Sequence, residues 1–416
     1  MSQNRVRGIR KNEALLWIGG WTSKFGNLVF DYANNVTIVN LIGKPWVLAL
    51  YQSAETLIQI LFNLIGGAKA DHGNRKRLVI VTDLIAACIC ALLGLFIGSG
   101  WMAQVMIVAN ALLAVVYAFN SPTYKALVRE VIERDRIGFA NSIAHAGGEM
   151  IGLIGPVIGV MLVGLIGARG AMWFDAGTFL VSALLEMRLT GIASEAFNDS
   201  PKQKESVLGQ IAAGFRYLWG EKHILFLLIL AAFVNFFLAG YNLLLPYMDR
   251  VFAAEVPHFY GKALSVSAVG GIAGAFLCSK VLVKMQNRVR TLLLCLLGTG
   301  LSLLLEPVLA KHAFAYLALL PFGLFSMALA GFNILFMSHV QIAVDPEYLG
   351  RVFSIIFTVA VLFMPCGSFV CAHALDLQRV ESFYVIGGGI SLVTIAYLFI
   401  HQKRDRIPNS ESRSQE

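Results

Sequence analysis

The sequence predicts an all-α membrane protein: twelve transmembrane helices in two pseudo-symmetric six-helix bundles. Three observations carry that prediction. Apolar residues make up 57% of the 416-residue chain and charged residues 14%, and the mean hydropathy is +0.70, a balance that no water-soluble domain of this length sustains. Twelve apolar runs are each long enough to cross a hydrocarbon core of ~30 Å as a helix. The longest polar stretch, residues 191–222, leaves six of these runs on either side.

The first six runs fall at about 14–40, 46–68, 78–98, 101–120, 139–166 and 170–190. The basic segment Arg5-Val-Arg-Gly-Ile-Arg10-Lys11 before the first has the look of a signal peptide. The run behind it is too long and has no clear small-x-small site, so it is read as the first span. Residues 1–190 are thus an N-terminal bundle. Residues 191–222 form a linker on the cytoplasmic side, ending in Gly214-Phe-Arg-Tyr-Leu-Trp219, an amphipathic segment suited to lie at the membrane interface. The remaining runs, at about 223–248, 259–283, 291–309, 313–338, 350–375 and 382–401, make a C-terminal bundle over 223–401, and 402–416 is a polar tail.

A net charge of +8 would suggest nucleic acid in a soluble protein, but here its location decides. On this assignment 26 Lys and Arg lie on the side of both termini and 6 on the other, with Lys24 inside the first span. That bias puts both termini in the cytoplasm of a cytoplasmic membrane, and an even number of spans demands the same. The six cysteines all fall within spans, without metal-ligand spacing, and read as apolar packing residues. No Walker motif, catalytic triad or metal cluster is present, so neither an enzyme nor a cofactor is expected. His145 reads as a hydrogen-bonded packing residue.

Between the second and third runs stands Gly67-Ala-Lys-Ala-Asp71-His-Gly-Asn-Arg75-Lys76-Arg77. Gly67 allows close backbone packing, Asp71 is placed to accept hydrogen bonds at the membrane edge, and Arg75, Lys76 and Arg77 suit the anionic headgroup layer. This turn resembles the loop between helices 2 and 3 of major facilitator transporters, roughly Gly-x-Leu-Ala-Asp-Arg-x-Gly-Arg-Lys. The chain keeps Gly67, Ala70, Asp71, Arg75 and Lys76 and departs at Lys69, His72 and Asn74. The resemblance implies a conformational latch between the two bundles. Segments about one half-chain apart also correspond: Arg75 and Arg77 with Arg288 and Arg290, and Gly138-x-x-x-Ser142 with Gly350-x-x-x-Ser354. The second copy of the loop has Lys284 or its neighbours where Asp71 would fall, so its latch is expected to be weaker. The loops from Asn120 to Asp135 and from Gln341 to Ser354 resemble those of the macrolide-efflux and siderophore-export group.

The fifth run contains Gly147-Gly148-Glu149, then Gly152, Gly155, Pro156 and Gly159. It resembles the antiporter motif of exporting major facilitators. The glycines line one face and admit a neighbouring helix, and Pro156 frees a carbonyl and permits a bend. Acids within spans are costly unless paired, hydrated or neutralised. Helical rise puts Glu55 and Glu149 near the bilayer middle, Asp31 in the outer half and Asp175 close to the outer surface. These four are the proton-coupling candidates, with a static hydrogen bond as the alternative for each. Asn27, Asp31, Asn34 and Asn35 form a polar stripe on the first helix, Gln59 and Asn63 extend that of Glu55, and Asn235 with Asn242 supplies a counterpart on the seventh. Asn27, Asn34, Gln59, Asn235 and Asn242 are therefore the substrate-cavity candidates. The fourth run lacks the embedded arginine of many proton-coupled exporters, so coupling rests on acids alone.

The resemblance implies a secondary active exporter of amphipathic or hydrophobic small molecules such as drugs or macrolides, working by proton antiport and alternating access. Its partners would be that substrate, protons and membrane lipids, with no nucleic acid, in a monomer. A lysophospholipid or lipid flippase, a proton-coupled uptake symporter and an accessory subunit without a transport cycle are the alternatives.

Overall fold

The computed structural model describes residues 3–70, 74–132, 134–190, 216–252, 254–280, 287–312, 315–345 and 348–405. Among them the helices are α1 (Gln3–Thr37), α2 (Pro45–Ala70), α3 (Arg75–Phe96), α4 (Met102–Val131) and α5 (Arg134–Met187). Next come α6 (Lys222–Leu244), α7 (Phe259–Lys280), α8 (Arg288–His312), α9 (Leu320–Ala343), α10 (Leu349–Ala374) and α11 (Ser382–Asp405). With α5 holding two spans, they occupy all twelve apolar runs. Among the described residues seven segments are long and apolar enough to cross a membrane by length and composition alone. Leu165, Phe276, Leu392 and Phe399 stand exposed on these helices, the outward-facing apolar surface that a bilayer requires.

Local chemistry sets the ends. A π-helical turn, Ile38–Ile42, closes α1, and Gly43 follows with φ 68°, its N–H bonded to Ile38 O at 2.8 Å. Glycine takes this left-handed cap without a Cβ penalty. Asn74 caps α3 by accepting from Arg77 N at 3.0 Å, and Asn287 caps α8 by accepting from Arg290 N at 2.9 Å. The same device opens corresponding helices of the two half-chains.

The backbone of α5 stays helical past Pro156 and breaks instead at Gly167 (φ 69°, ψ 177°). Pro156 removes one hydrogen bond without forcing φ out of the helical region, whereas Gly167 adopts a conformation open only to glycine. Register shows what the break does. Along 134–166, Gly147, Gly155 and Gly159 meet Trp21, Leu28 and Val29 in ascending order; along 168–187, Thr178 meets Gly26 and Ser182 meets Gly19 in descending order. The two arms of α5 run in opposite directions beside α1.

The chain divides into two compact units, one of Met1–Lys204 with Tyr260–Ser265 and one of Glu205–Phe259 with Val266–Glu416. In the first, α1 and α3 pack on α5, and α4 packs on α2 and α3. In the second, α6 packs on α10 and α11, α8 on α9 and α11, and α7 meets α9 at Gly270 and Gly323.

Candidate functional site

The interior of the first unit is polar, and α1 supplies its spine. Asn27 Oδ1 accepts from Tyr117 OH of α4 at 2.8 Å. One turn on, Asp31 lies exposed at membrane depth, within electrostatic range of Glu55 and Asp175. Asn34 is fully buried and donates to Tyr51 OH at 3.0 Å. On α2, Glu55 accepts from Gln59 Nε2 at 3.0 Å and bonds to Asn110, whose amide also donates to Tyr51 O at 2.8 Å. Helical spacing on α1 and α2 thus aims two stripes at each other, and α4 fills the gap with an amide and a phenol.

Asp175 is fully buried in the second arm of α5. It accepts from Thr178 Oγ1 at 3.1 Å and from the Cys90 thiol of α3 at 3.4 Å. All six cysteines are free thiols, yet Cys90 does more than pack, since it donates to an acid. Among the described residues, none of Asp31, Glu55 and Asp175 forms an ion pair. An ionised carboxylate at this depth costs several kcal/mol, so the cluster is suited to hold a proton or to receive a cationic group.

A cavity of about 270 Å³ opens in the same unit between α1, α3, α4 and the second arm of α5. Lys24, Asn27, Tyr117, Asn120 and two further acids, Asp83 and Glu186, are on its wall. The sequence reading passed over Asp83 and Glu186 because each stands near the end of its apolar run, where an acid looks interfacial.

The basic turn binds inside its own unit. Arg75 pairs with Glu130 of α4. Lys76 Nζ donates to Met187 O at 2.8 Å and Leu189 O at 2.7 Å, capping the end of α5. Arg77 offers its backbone N–H to the Asn74 cap. Within the unit Arg75 thus meets an anion and Lys76 two carbonyls at the end of α5. Asp71 and Lys284 lie outside the described residues, as do the side chains of Glu149, Pro156 and Asn63 and the surroundings of Gly67. Gly155 lies against Leu28 and Gly159 against Val29, while Gly152 faces open space. In the second unit Asn235 donates to Ala231 O of its own helix at 2.8 Å, and Asn242 is exposed on α6.

Comparison with known proteins adds to this geometry. The family model described as Major Facilitator Superfamily matches residues 16–368. The multidrug efflux pump Tap of Mycolicibacterium fortuitum is 25% identical over 412 residues, covering 92% of this chain and 95% of that protein. Macrolide efflux protein A of Streptococcus pyogenes is 20% identical over 384 residues, 90% of this chain and 91% of that protein. Among solved structures, a variant of the nucleoside transporter NupG matches with a TM-score of 0.76 at 13% identity, covering 94% of this chain and 99% of that one. An inward-facing bacterial homologue of the iron transporter ferroportin matches with a TM-score of 0.73 at 16% identity, covering 96% and 99%.

Proposed function

We propose a transport cycle for a chain that belongs to the Major Facilitator Superfamily: export of amphipathic or hydrophobic small molecules, such as drugs or macrolides, in exchange for protons and by alternating access. Membership makes the chain a multi-pass membrane transporter. The observation that carries the finer reading is its nearly end-to-end similarity to two efflux proteins. An acid cluster that pairs with no cation among the described residues supports the proton step. Asp31, Glu55, Asp175 and Glu149 are the coupling groups in this reading. Asn27, Asn34, Gln59, Asn235 and Asn242 face the substrate, and the glycine face of Gly152, Gly155, Pro156 and Gly159 lets α5 slide on its neighbour. Gly67, Asp71, Arg75, Lys76 and Arg77 bias the conformational equilibrium. The protein works as a monomer in lipid, in a cytoplasmic membrane with both termini inside.

The test is proton-gradient-driven efflux of fluorescent lipophilic cations and macrolides from vesicles, comparing wild type with Asp31→Asn and Glu149→Gln. Gradient-dependent efflux by wild type that is lost in Asp31→Asn is the expected result. Efflux that proceeds equally without a gradient overturns the antiport reading, and no efflux of any compound overturns export.

A further inference from the structure

Glu306 of α8 takes no part in the cycle above, yet it is 0% exposed and both of its carboxyl oxygens are buried without a hydrogen-bond partner. Register places it within the second unit. Gly300 of α8 meets Ser391 of α11, and Leu303 and Leu304 meet Gly387, so the two helices run antiparallel and Glu306 falls at the level of Phe383 and Tyr384. Gly298 meets Ala328 of α9, and α9 returns along α8 after a short connection, so the same count brings Glu306 to the turn Leu320–Phe322. Phe322 and Phe383 are both 0% exposed and meet edge to face at 5.6 Å. Phe383 in turn lies 6.4 Å from Tyr241 of α6. The acid is set beside the aromatic interior.

The groups that could support a negative charge there are committed elsewhere. Lys311, farther along α8, lies 2.7 Å from Glu381, and Arg379 lies 3.0 Å from Asp376. The nearest hydroxyls of α8 donate back into their own helix, Thr299 to Cys295 O at 3.1 Å and Ser302 to Gly298 O at 2.7 Å. α9 has no Asp, Glu, Lys or Arg, and its His339 stands near the opposite end. α6 and α11 likewise carry Lys222, His223 and His401 at their other ends and turn Tyr241, Phe383 and Tyr384 toward this level. Among the described residues Glu306 forms no ion pair. A buried carboxylate with neither a cation nor a donor bears its whole desolvation penalty, which a neutral acid escapes.

The next residue supplies the complement. Pro307 lies inside α8 and has no N–H, so Leu303 O lacks the donor that a regular helix would give it. A protonated carboxyl group is a donor, and helical side chains lean back over the preceding turn. An acid without a donor and a carbonyl without a donor thus share one turn of helix, and a single proton satisfies both. We propose that Glu306 is a proton-binding site of the second unit, holding one proton on a carboxyl oxygen and donating it to Leu303 O, so that the aromatic interior closes over a neutral acid. The proton comes from water as the unit packs, and no bond but the O–H is formed. It is separate from the coupling cluster and stands whether or not the chain exchanges protons.

The test is infrared difference spectroscopy of the full-length protein in lipid vesicles near neutral pH, read at the C=O stretch of protonated carboxyl groups. One band is expected to disappear in Glu306→Gln. The same band should persist but shift in Pro307→Ala, which restores an N–H to Leu303 O and takes away the acid's acceptor. An unchanged carboxyl spectrum in Glu306→Gln overturns the bound proton, and an unshifted band in Pro307→Ala overturns the bond that holds it. Efflux of ethidium is read in the same vesicles. Glu306→Gln keeps a donor at this place and should leave gradient-driven efflux near wild type; its loss in that variant would put the acid in the cycle and overturn its separation from the coupling cluster. A wild-type band without gradient-driven efflux would sink the export reading and leave the held proton standing.

Discussion

The two units repeat one pattern of helix pairing and fill it with opposite materials. In the first, five helices carry Asn27, Asp31, Glu55, Asp175, Asp83 and Glu186 between them, and its glycines make seats for side chains. A Cβ at Gly26 would collide with Thr178 Oγ1, Thr178 Cβ and Asp175 Oδ1, all side-chain atoms. In the second, helix backbones touch: a Cβ at Gly270 would collide with the carbonyl oxygen of Gly323. Its interior is aromatic, with Tyr241 stacked on Phe325 at 4.4 Å and Phe259, Phe322 and Phe383 meeting edge to face at 5.7 and 5.6 Å. Aromatic pairs of this kind hold a fixed geometry. The packing scheme is therefore common to both halves while the buried acids lie largely in one; among the described residues Glu306, a fully buried acid in α8 with both oxygens unpartnered, and His339 of α9, with Nε2 buried and unpartnered, bring ionisable groups into the second.

The sharpest way to break this contrast is by activity. Asp31→Asn or Glu55→Gln should abolish gradient-driven efflux in vesicles, whereas Tyr241→Phe, which removes one hydroxyl from the aromatic interior, should leave it near wild type. If Tyr241→Phe is as damaging as the acid variants, the chemistry is not confined to the first unit. Stability should show the reverse order. Gly270→Val forces two backbones apart and should cost about 3 kcal/mol or more, read as a large fall in the melting temperature of the purified protein. Gly26→Ala requires Thr178 and Asp175 to shift and should cost less, about 2 kcal/mol, while efflux falls further than that loss explains because Asp175 is displaced.

The smallest effect belongs to a pair outside both interiors. Lys311 Nζ lies 2.7 Å from Glu381 Oε1, and both side chains are about half exposed. The hydrogen bond and then the charge of Lys311 hold the Glu381 carboxyl below its usual range, and the same partner raises Lys311. For the depressed acid the contribution is present above the ordinary carboxylate range and fades as pH falls through its lowered value. For the raised lysine it is present below the ordinary lysine range and fades as pH rises through its raised value. Between those limits solvent screens the pair, so Lys311→Ala should leave the melting temperature unchanged at neutral pH.

Much of the fold was legible because a bilayer imposes one rule on every span: each apolar run must become a helix to satisfy its own backbone. The run read as 313–338 starts its regular helix only at Leu320, after a 3-10 turn over Ala315–Leu319, since apolar composition does not distinguish two tight helical forms. The acids of α1 and α2 stood out because charge is conspicuous in hydrocarbon. Their partners did not: Tyr117 and Asn110 are ordinary in a sequence and acquire meaning only when α4 is laid against α1 and α2. Arg75 and Lys76 stood out as a basic cluster, but nothing local reveals that the ends of α4 and α5 adjoin the start of α3. Asn235 read as a cavity amide, and the sequence did not reveal that it also donates to the Ala231 carbonyl of its own helix.

At Gly167 two membrane crossings reverse on a single residue, and the chain spends no loop in doing so. The face of the membrane that α1 reaches at its C-terminal end therefore carries bare apolar residues there, Leu165 being 79% exposed. Between these crossings the exposed surface is limited to residues 164–167 and Arg169, so an inserted reporter tag there would have to lengthen a helix. Surface mapping has only that short turn to read, and an experiment that infers topology from long accessible loops would miss this hairpin.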